Sequence, residues 1–181
     1  MSQSKLQETY AKTIARDLQQ TLSLKNKMAV PQLKKIVVNM GVKDVLSDKK
    51  LLDKSALALT QITGQKPKVT KAKKSIAGFK LREGDQIGLV VTMRGNRMYL
   101  FLEKLIHIVL PRIRDFRGVK RTSFDGNGNY TLGFSEYTVF PEIDPGSVDR
   151  LQGLEISIIT SAKKDDGALL LLEKLGVPFE K

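Results

Sequence analysis

Seven cations and no acid occupy Lys66–Arg82: Lys66, Lys68, Lys71, Lys73, Lys74, Lys80 and Arg82. Their natural chemistry is with phosphate. Each phosphate that a Lys or Arg neutralises releases condensed counterions, an entropic gain. The mutual repulsion of neighbouring cations in the free protein is relieved at the same time. The run is part of a wider imbalance. Met1–Arg82 carries 18 Lys and Arg against 5 Asp and Glu, whereas Glu83–Lys181 carries 13 against 14, for a net charge of +12. One short basic run reads as a solvated Lys-rich surface; an excess confined to half of the chain points to a polyanionic partner. Beyond it, Arg94–Arg121 has a net charge of +6 and Thr122–Lys181 a net charge of −5. The acidic last third is expected to face solvent or another protein, because phosphate would repel it.

Other chemistries find little support. The absence of cysteine removes disulfides, thiolate metal sites and a Cys nucleophile together. The single histidine, His107, falls in the middle of a helical pattern, with no second His to complete a metal site and no Ser-His arrangement to activate a nucleophile. Gly64-Gln65-Lys66-Pro67 fails as a P-loop: the upstream glycine is missing and Pro67 stands where Ser or Thr must bind magnesium. Asp125, Asn127, Asn129 and Glu136 fall at positions 1, 3, 5 and 12 of the EF-hand pattern, but Tyr130 replaces the glycine that its sharp turn requires. That stretch reads as a Gly/Asn-rich turn between strands. No metal, cofactor or catalytic residue is expected. A rival reading, a small enzyme acting on RNA or nucleotides through a Lys-rich groove, needs a general base or paired carboxylates near the basic surface. Met1–Arg82 offers only Glu8, Asp17, Asp44, Asp48 and Asp53, with no paired spacing.

The elements that must position the cations follow from periodicity. Leu6, Tyr10, Ile14, Leu18 and Leu22 recur every four residues and predict an N-terminal amphipathic helix. Leu51, Leu52, Ala56, Leu59 and Ile62 predict a helix over about 47–63, stopped at Gly64. Leu102, Leu105, Ile106, Val109 and Ile113 predict one over 96–113, which Pro111 must end or bend. The last runs over 165–175 and stops at Gly176, with Pro178 beyond. Strands alternate with period two. Ile36, Val38, Met40 and Val42 share one face, opposite Lys35, Val37, Asn39 and Gly41. Ile87, Leu89, Val91 and Met93 oppose Gly88, Val90, Thr92 and Arg94. Leu154, Ile156 and Ile158 oppose Glu155, Ser157 and Ile159. A short basic strand runs over 68–72. Two long loops remain: Lys73–Gly84, basic and expected to be mobile in the free protein, and Asp115–Leu132, rich in Gly, Asn and Arg.

The order α-β-α-β-β-α-β-β-α predicts an α+β fold: a mostly antiparallel sheet with helices on its apolar face and an open, polar and basic opposite face. At 181 residues one domain, 1–181, is expected. The first residues lack the apolar core of a signal peptide, and no apolar run is long enough to span a bilayer, so a cytoplasmic protein with no membrane partner is expected.

The run from Leu59 to Phe79, Leu-Thr-Gln-Ile-Thr-Gly-Gln-Lys-Pro-Lys-Val-Thr-Lys-Ala-Lys-Lys-Ser-Ile-Ala-Gly-Phe, resembles the signature of the bacterial-type ribosomal protein five family of the large subunit. Lys35-Ile-Val-Val-Asn-Met-Gly, Val91-Thr-Met-Arg-Gly, Arg114-Asp-Phe-Arg-Gly, Gly128-Asn-Tyr-Thr-Leu-Gly and Phe140-Pro-Glu-Ile fall in the family's order, so the resemblance runs nearly end to end. It implies a structural ribosomal protein rather than an enzyme. It also implies binding to 5S rRNA in the central protuberance beside large-subunit rRNA and other proteins there, a basic loop on the P-site tRNA, and a bridge to a small-subunit head protein. On this resemblance Lys35, Asn39, Gln65, Lys66, Lys68, Lys71, Thr92 and Arg94 are the expected rRNA contacts, since amides, hydroxyls and cations at fixed strand spacing suit 2′-hydroxyls, bases and phosphates. Lys73, Lys74, Ser75, Ile76, Ala77, Gly78, Phe79, Lys80 and Arg82 form the expected tRNA loop, with Phe79 packing or stacking. Arg112, Arg114, Arg117, Glu142 and Asp144 are the expected contacts to the small-subunit protein.

Overall fold

The structure, a computed structural model, describes residues 4–42, 49–144, 146 and 152–180. Its elements are α1 (Lys5–Thr9) and α2 (Ala15–Thr21) joined by a π-helical turn (Tyr10–Ile14), β1 (Leu33–Gly41), α3 (Lys49–Thr63), β2 (Lys68–Lys71), β3 (Gln86–Met93), α4 (Gly95–Lys104), β4 (Tyr130–Phe134), β5 (Leu154–Thr160) and α5 (Asp165–Lys174). The strands form one antiparallel sheet in the order β2-β3-β1-β5-β4, and the fold is α+β as the alternation predicts. Along β1, Ile36, Val38, Met40 and Val42 are buried, whereas Asn39 and Gly41 are exposed and Lys35 and Val37 half-buried. In β3 the buried set is Leu89, Val91 and Met93; in β5 it is Leu154, Ile156, Ile158 and Thr160. By its contacts the chain divides into two compact units, residues 1–37, 93–132 and 156–181, and residues 38–92 and 133–155.

In the first unit the four-residue spacing of Leu6, Tyr10, Ile14, Leu18 and Leu22 is longer than the 3.6 residues of an α-helical turn, so an ideal helix would drift away from it. The wider i→i+5 turn at Tyr10–Ile14 takes up the excess. Ile14 and Leu18 are buried, and the Tyr10 hydroxyl donates to the Pro31 carbonyl at 2.9 Å. The helix predicted over 96–113 is regular only to Lys104. It continues as a π turn (Leu105–Val109) and a single 3₁₀ turn (Leu110–Arg112) before Ile113 becomes extended. Pro111 explains the change, because it has no N–H for the helical ladder and its ring crowds the carbonyl four residues back. α5 ends as expected, with Gly176 in the left-handed region at φ +95°.

In the second unit α3 is described from Lys49, and the expected positions 47 and 48 lie outside the described residues. Its buried stripe is Leu52, Ser55, Leu59, Ile62 and Thr63, while Leu51 and Ala56, expected to be buried, are half-buried. The two buried hydroxyls are satisfied: Ser55 donates to Gln152 Oε1 at 3.3 Å and Thr63 to the Leu59 carbonyl at 2.7 Å. Gly64, at φ +66°, stops the helix.

The stretch 115–132, expected as a loop, is in part strand, since β4 begins at Tyr130. The turn before it is capped by a side chain. Asp125 Oδ1 accepts the Asn127 and Asn129 backbone N–H groups at 2.8 and 3.0 Å, and Oδ2 accepts Asn129 Nδ2 at 2.7 Å. Asp165, at the start of α5, accepts the N–H groups of Gly126 and Gly128 at 3.1 and 2.8 Å. No cluster able to hold a metal occurs among the described residues.

These bonds, the Asn129 side-chain amide first, hold the Asp125 carboxyl below the ordinary carboxylate range. A pKa lower in the folded than in the unfolded state gives stabilisation that is present above the unfolded value and lost as pH falls through the folded one. Asp125→Ala should therefore lower the urea midpoint at neutral pH, and the gap to wild type should close as acidification passes below the ordinary carboxylate range. A gap that persists unchanged in acid would show that the carboxylate charge plays no part in the turn.

Candidate nucleic-acid interface

The open face of the second unit is built from β1, β2 and β3. Antiparallel register places Lys68 opposite Val90, Val69 opposite Leu89 and Thr70 opposite Gly88. Cross-strand partners share a face, so Lys68 and Thr70 lie on the side of Gly88, Val90 and Thr92, away from buried Leu89 and Val91. Asn39 holds the corresponding outward position in β1 and is exposed. Lys35 lies four residues earlier on the same face of β1, and Arg94 two residues beyond Thr92. Both belong to the first unit, where Lys35 is half-buried and Arg94 exposed.

Gln65 is partly structural. Its Nε2 donates to the Thr92 carbonyl at 3.4 Å, and its own carbonyl accepts the Thr63 hydroxyl at 3.1 Å, which ties the end of α3 to the end of β3. Lys66 and Lys68 flank buried Pro67 and are exposed. Thr70 and Gly88 were not among the expected contacts. The alternation Lys68-Val69-Thr70 carried the signal for Thr70, since residues two apart in a strand share a face.

After Thr70 the register shifts: Lys71 pairs with Gln86, leaving Ile87 as an extra residue in β3. Such a bulge bends the strand and increases its twist. The ladder then continues outward through Ala72 N–H to the Asp85 carbonyl (2.8 Å) and the reciprocal pair between Ile76 and Leu81 (2.9 and 3.1 Å). The segment Lys73–Gly84, read from the sequence as a loop, is thus a hydrogen-bonded arm. A 3₁₀ turn (Ala77–Phe79) and left-handed Lys80, at φ +52°, close its tip. Ser75 accepts the Glu83 N–H at 2.9 Å, and Asp85 Oδ2 accepts the Arg82 N–H at 2.7 Å. Ile76, Ala77 and Gly78 are exposed, and the Phe79 side chain lies outside what the structure describes.

The cations of this region are exposed. Among the described residues, no ion pair or side-chain hydrogen bond engages Lys66, Lys68, Lys71, Lys73, Lys74, Lys80 or Arg82. The structure therefore joins an uncompensated cationic strand and arm to a polar sheet face. Arg112, Arg114 and Arg117 are exposed after α4 in the first unit, and Glu142 and Asp144 are exposed in the second.

Comparison with known proteins accounts for nearly the whole chain. Residues 26–82 match the family model described as ribosomal protein L5, and residues 86–179 match the model for the C-terminus of the same ribosomal family. Over 178 residues, covering 98% of this chain and 99% of the relative, the sequence is 54% identical to large ribosomal subunit protein uL5 of Mesoplasma florum. It is 53% identical, over the same shares, to large ribosomal subunit protein uL5 of Mycoplasma capricolum subsp. capricolum. The chain belongs to the ribosomal protein L5 family.

The close approach of β1 and β2 to β3 depends on Gly88. A Cβ there would sit 2.8 Å from the Met40 carbonyl oxygen and 2.9 Å from Thr70 Oγ1, whereas a Cβ on Gly41 would meet nothing within 4 Å. Gly88→Ala should reduce unfolding free energy by ~1–3 kcal/mol, the usual range for overpacking. Gly41→Ala should stay within about 0.5 kcal/mol of wild type. Urea denaturation of both variants checks the pair, and equal effects would contradict the close β1–β3 approach.

Proposed function

We propose that this member of the ribosomal protein L5 family is a non-enzymatic constituent of the large ribosomal subunit that binds 5S rRNA and helps anchor it in the central protuberance. The observation that carries the reading is the set of exposed, uncompensated cations on β2 and its arm, contiguous with a polar sheet face. Lys66, Lys68, Lys71 and Arg94 meet phosphates, while Asn39, Thr92 and the remaining hydrogen-bonding capacity of Gln65 meet 2′-hydroxyls or base edges. Lys35, in the first unit, meets phosphate as well. A rigid sheet fixes their spacing, so little ordering entropy is lost on binding.

The arm Lys73–Gly84 carries Lys73, Lys74, Lys80 and Arg82 beyond the sheet, and its occupant in this reading is the P-site tRNA. Contacts through phosphate give little dependence on tRNA sequence, since backbone contacts set register and not identity. A third role is contact with a small-subunit head protein, by Arg112, Arg114 and Arg117 in the first unit and by Glu142 and Asp144 in the second, the acidic pair supported by the net charge of −5 over 122–181.

Affinity for 5S rRNA should fall steeply with salt. Each of Lys66→Ala, Lys68→Ala and Lys71→Ala should weaken binding and reduce the slope of log K against log salt by about 0.7–0.9. A flat slope in the wild type would contradict phosphate contact. Shortening Ser75–Leu81 to a Gly-Ser turn should spare folding and 5S binding yet loosen P-site tRNA in ribosomes that carry the variant. Wild-type tRNA retention would reduce the arm to a connection.

A further inference from the structure

Among the described residues, Met28 is the most exposed large apolar side chain, at 87%. The other described methionines, Met40, Met93 and Met98, are buried. The turn that presents Met28, Lys25–Ala29 ahead of β1, is built rather than loose. Asn26 Oδ1 accepts the Met28 N–H at 2.8 Å, and the Ala29 and Val30 N–H groups donate to the carbonyls of Asn26 and Lys27 at 3.0 and 3.3 Å. Both ends are anchored. On one side the Leu24 N–H donates to the Gln19 carbonyl at 3.0 Å. On the other, Val30 and Pro31 are buried and the Pro31 carbonyl accepts the Tyr10 hydroxyl. The backbone is fixed, and the side chain stands in solvent.

The surroundings indicate what covers it. Lys25 and Lys27 flank Met28 and are exposed. From Leu18 to Val42 the chain holds four lysines (Lys25, Lys27, Lys34 and Lys35) and no acid. An apolar protein surface docked here would bring no countercharge to these lysines. A nucleotide supplies both halves, an aromatic base for the thioether and phosphates for the cations.

We propose that Met28 is a base-contact residue, packing its thioether on an unstacked base of an RNA loop while Lys25 and Lys27 hold the adjoining phosphates. The inference rests on the rRNA-binding reading above and adds a contact outside the open face. The chemistry is apt: the thioether is polarizable and favours aromatic rings. Apolar side chains, Met among them, serve as wedges at base steps. RNA loops present splayed bases that invite such contacts.

The test is 5S rRNA binding by the intact chain. With wild type bound, Met28→Ala should weaken affinity about tenfold, as for loss of one base stack, with the salt slope unchanged; Met28→Leu should retain most of the affinity. Lys27→Ala should instead lower the slope by about 0.7–0.9. Peroxide, which passes one oxygen to the exposed thioether and leaves water, should oxidise Met28 in the free protein and do so more slowly once 5S rRNA saturates it. Wild-type affinity in Met28→Ala, or oxidation indifferent to RNA, overturns the proposal. Normal 5S binding with poor incorporation of the variant into subunits overturns it in favour of a protein contact. Failure of the wild type itself to bind 5S rRNA removes the underlying reading, a result distinct from the other two.

Discussion

The register of β1 is the constraint on which the rest depends. Side chains alternate across a sheet, so a slip of one residue would exchange the two faces completely. Ile36, Val38 and Met40, all at 0% exposure, would turn outward, and Lys35 and Asn39 would turn inward. Burial of each such apolar side chain contributes about 1.5–3 kcal/mol, and a domain's net stability is only about 5–15 kcal/mol. Three exposed core residues and a lysine buried without a partner would exceed that margin. The apolar face therefore fixes the polar one: Asn39 points outward because Val38 and Met40 cannot.

The same logic governs the basic region. Seven cations with no ion-pair partner repel one another, and the fold tolerates them by keeping all of them in water, where screening is strong. They are held in place by the backbone ladder and by Ser75 and Asp85, which accept the Glu83 and Arg82 N–H groups. The β2–β3 ladder, the bulge at Ile87 and the Ile76–Leu81 pair shape the arm without using a single basic side chain. Some charges of the first unit are paired instead, as at Arg121 with Glu173 (2.9 Å) and Lys174 with Asp17 (3.6 Å). The contrast separates charge used by the fold from charge left for a partner.

Much of this was legible in the sequence. Period-two alternation marked both faces of β1 and β5 and those of β3 from Leu89 onward, but Ile87, expected on the apolar face, is exposed at the bulge and Gly88, expected opposite it, is buried; Gly64 and Gly176 marked two helix ends. The element order was apparent, although no residues were assigned to β4. What escaped has physical causes. A bulge leaves no local signature when the extra residue, here Ile87, suits a strand as well as its neighbours do. The π turns arise from a mismatch between a four-residue apolar repeat and helical pitch, which shows only when the stripe is measured against 3.6 residues. Ser55 and Thr63 look polar in sequence, yet they are buried because each hydroxyl has an acceptor at hand. Gln65 read as purely a contact residue, and one of its side-chain N–H groups is given to the Thr92 carbonyl. The arm looked like a loop because its pairing connects residues whose own patterning is broken by Gly, Lys and Ser.

The central claim is that the outward face of β1, β2 and β3 is the RNA-binding surface. Amide chemical-shift mapping of the isotope-labelled chain during titration with 5S rRNA tests it most directly. The account predicts that the largest changes fall on Asn39, Lys66, Lys68, Thr70, Gly88 and Thr92, while β4 and α5 stay close to their free positions. Changes concentrated in β4 and α5, with β1–β3 undisturbed, would contradict it.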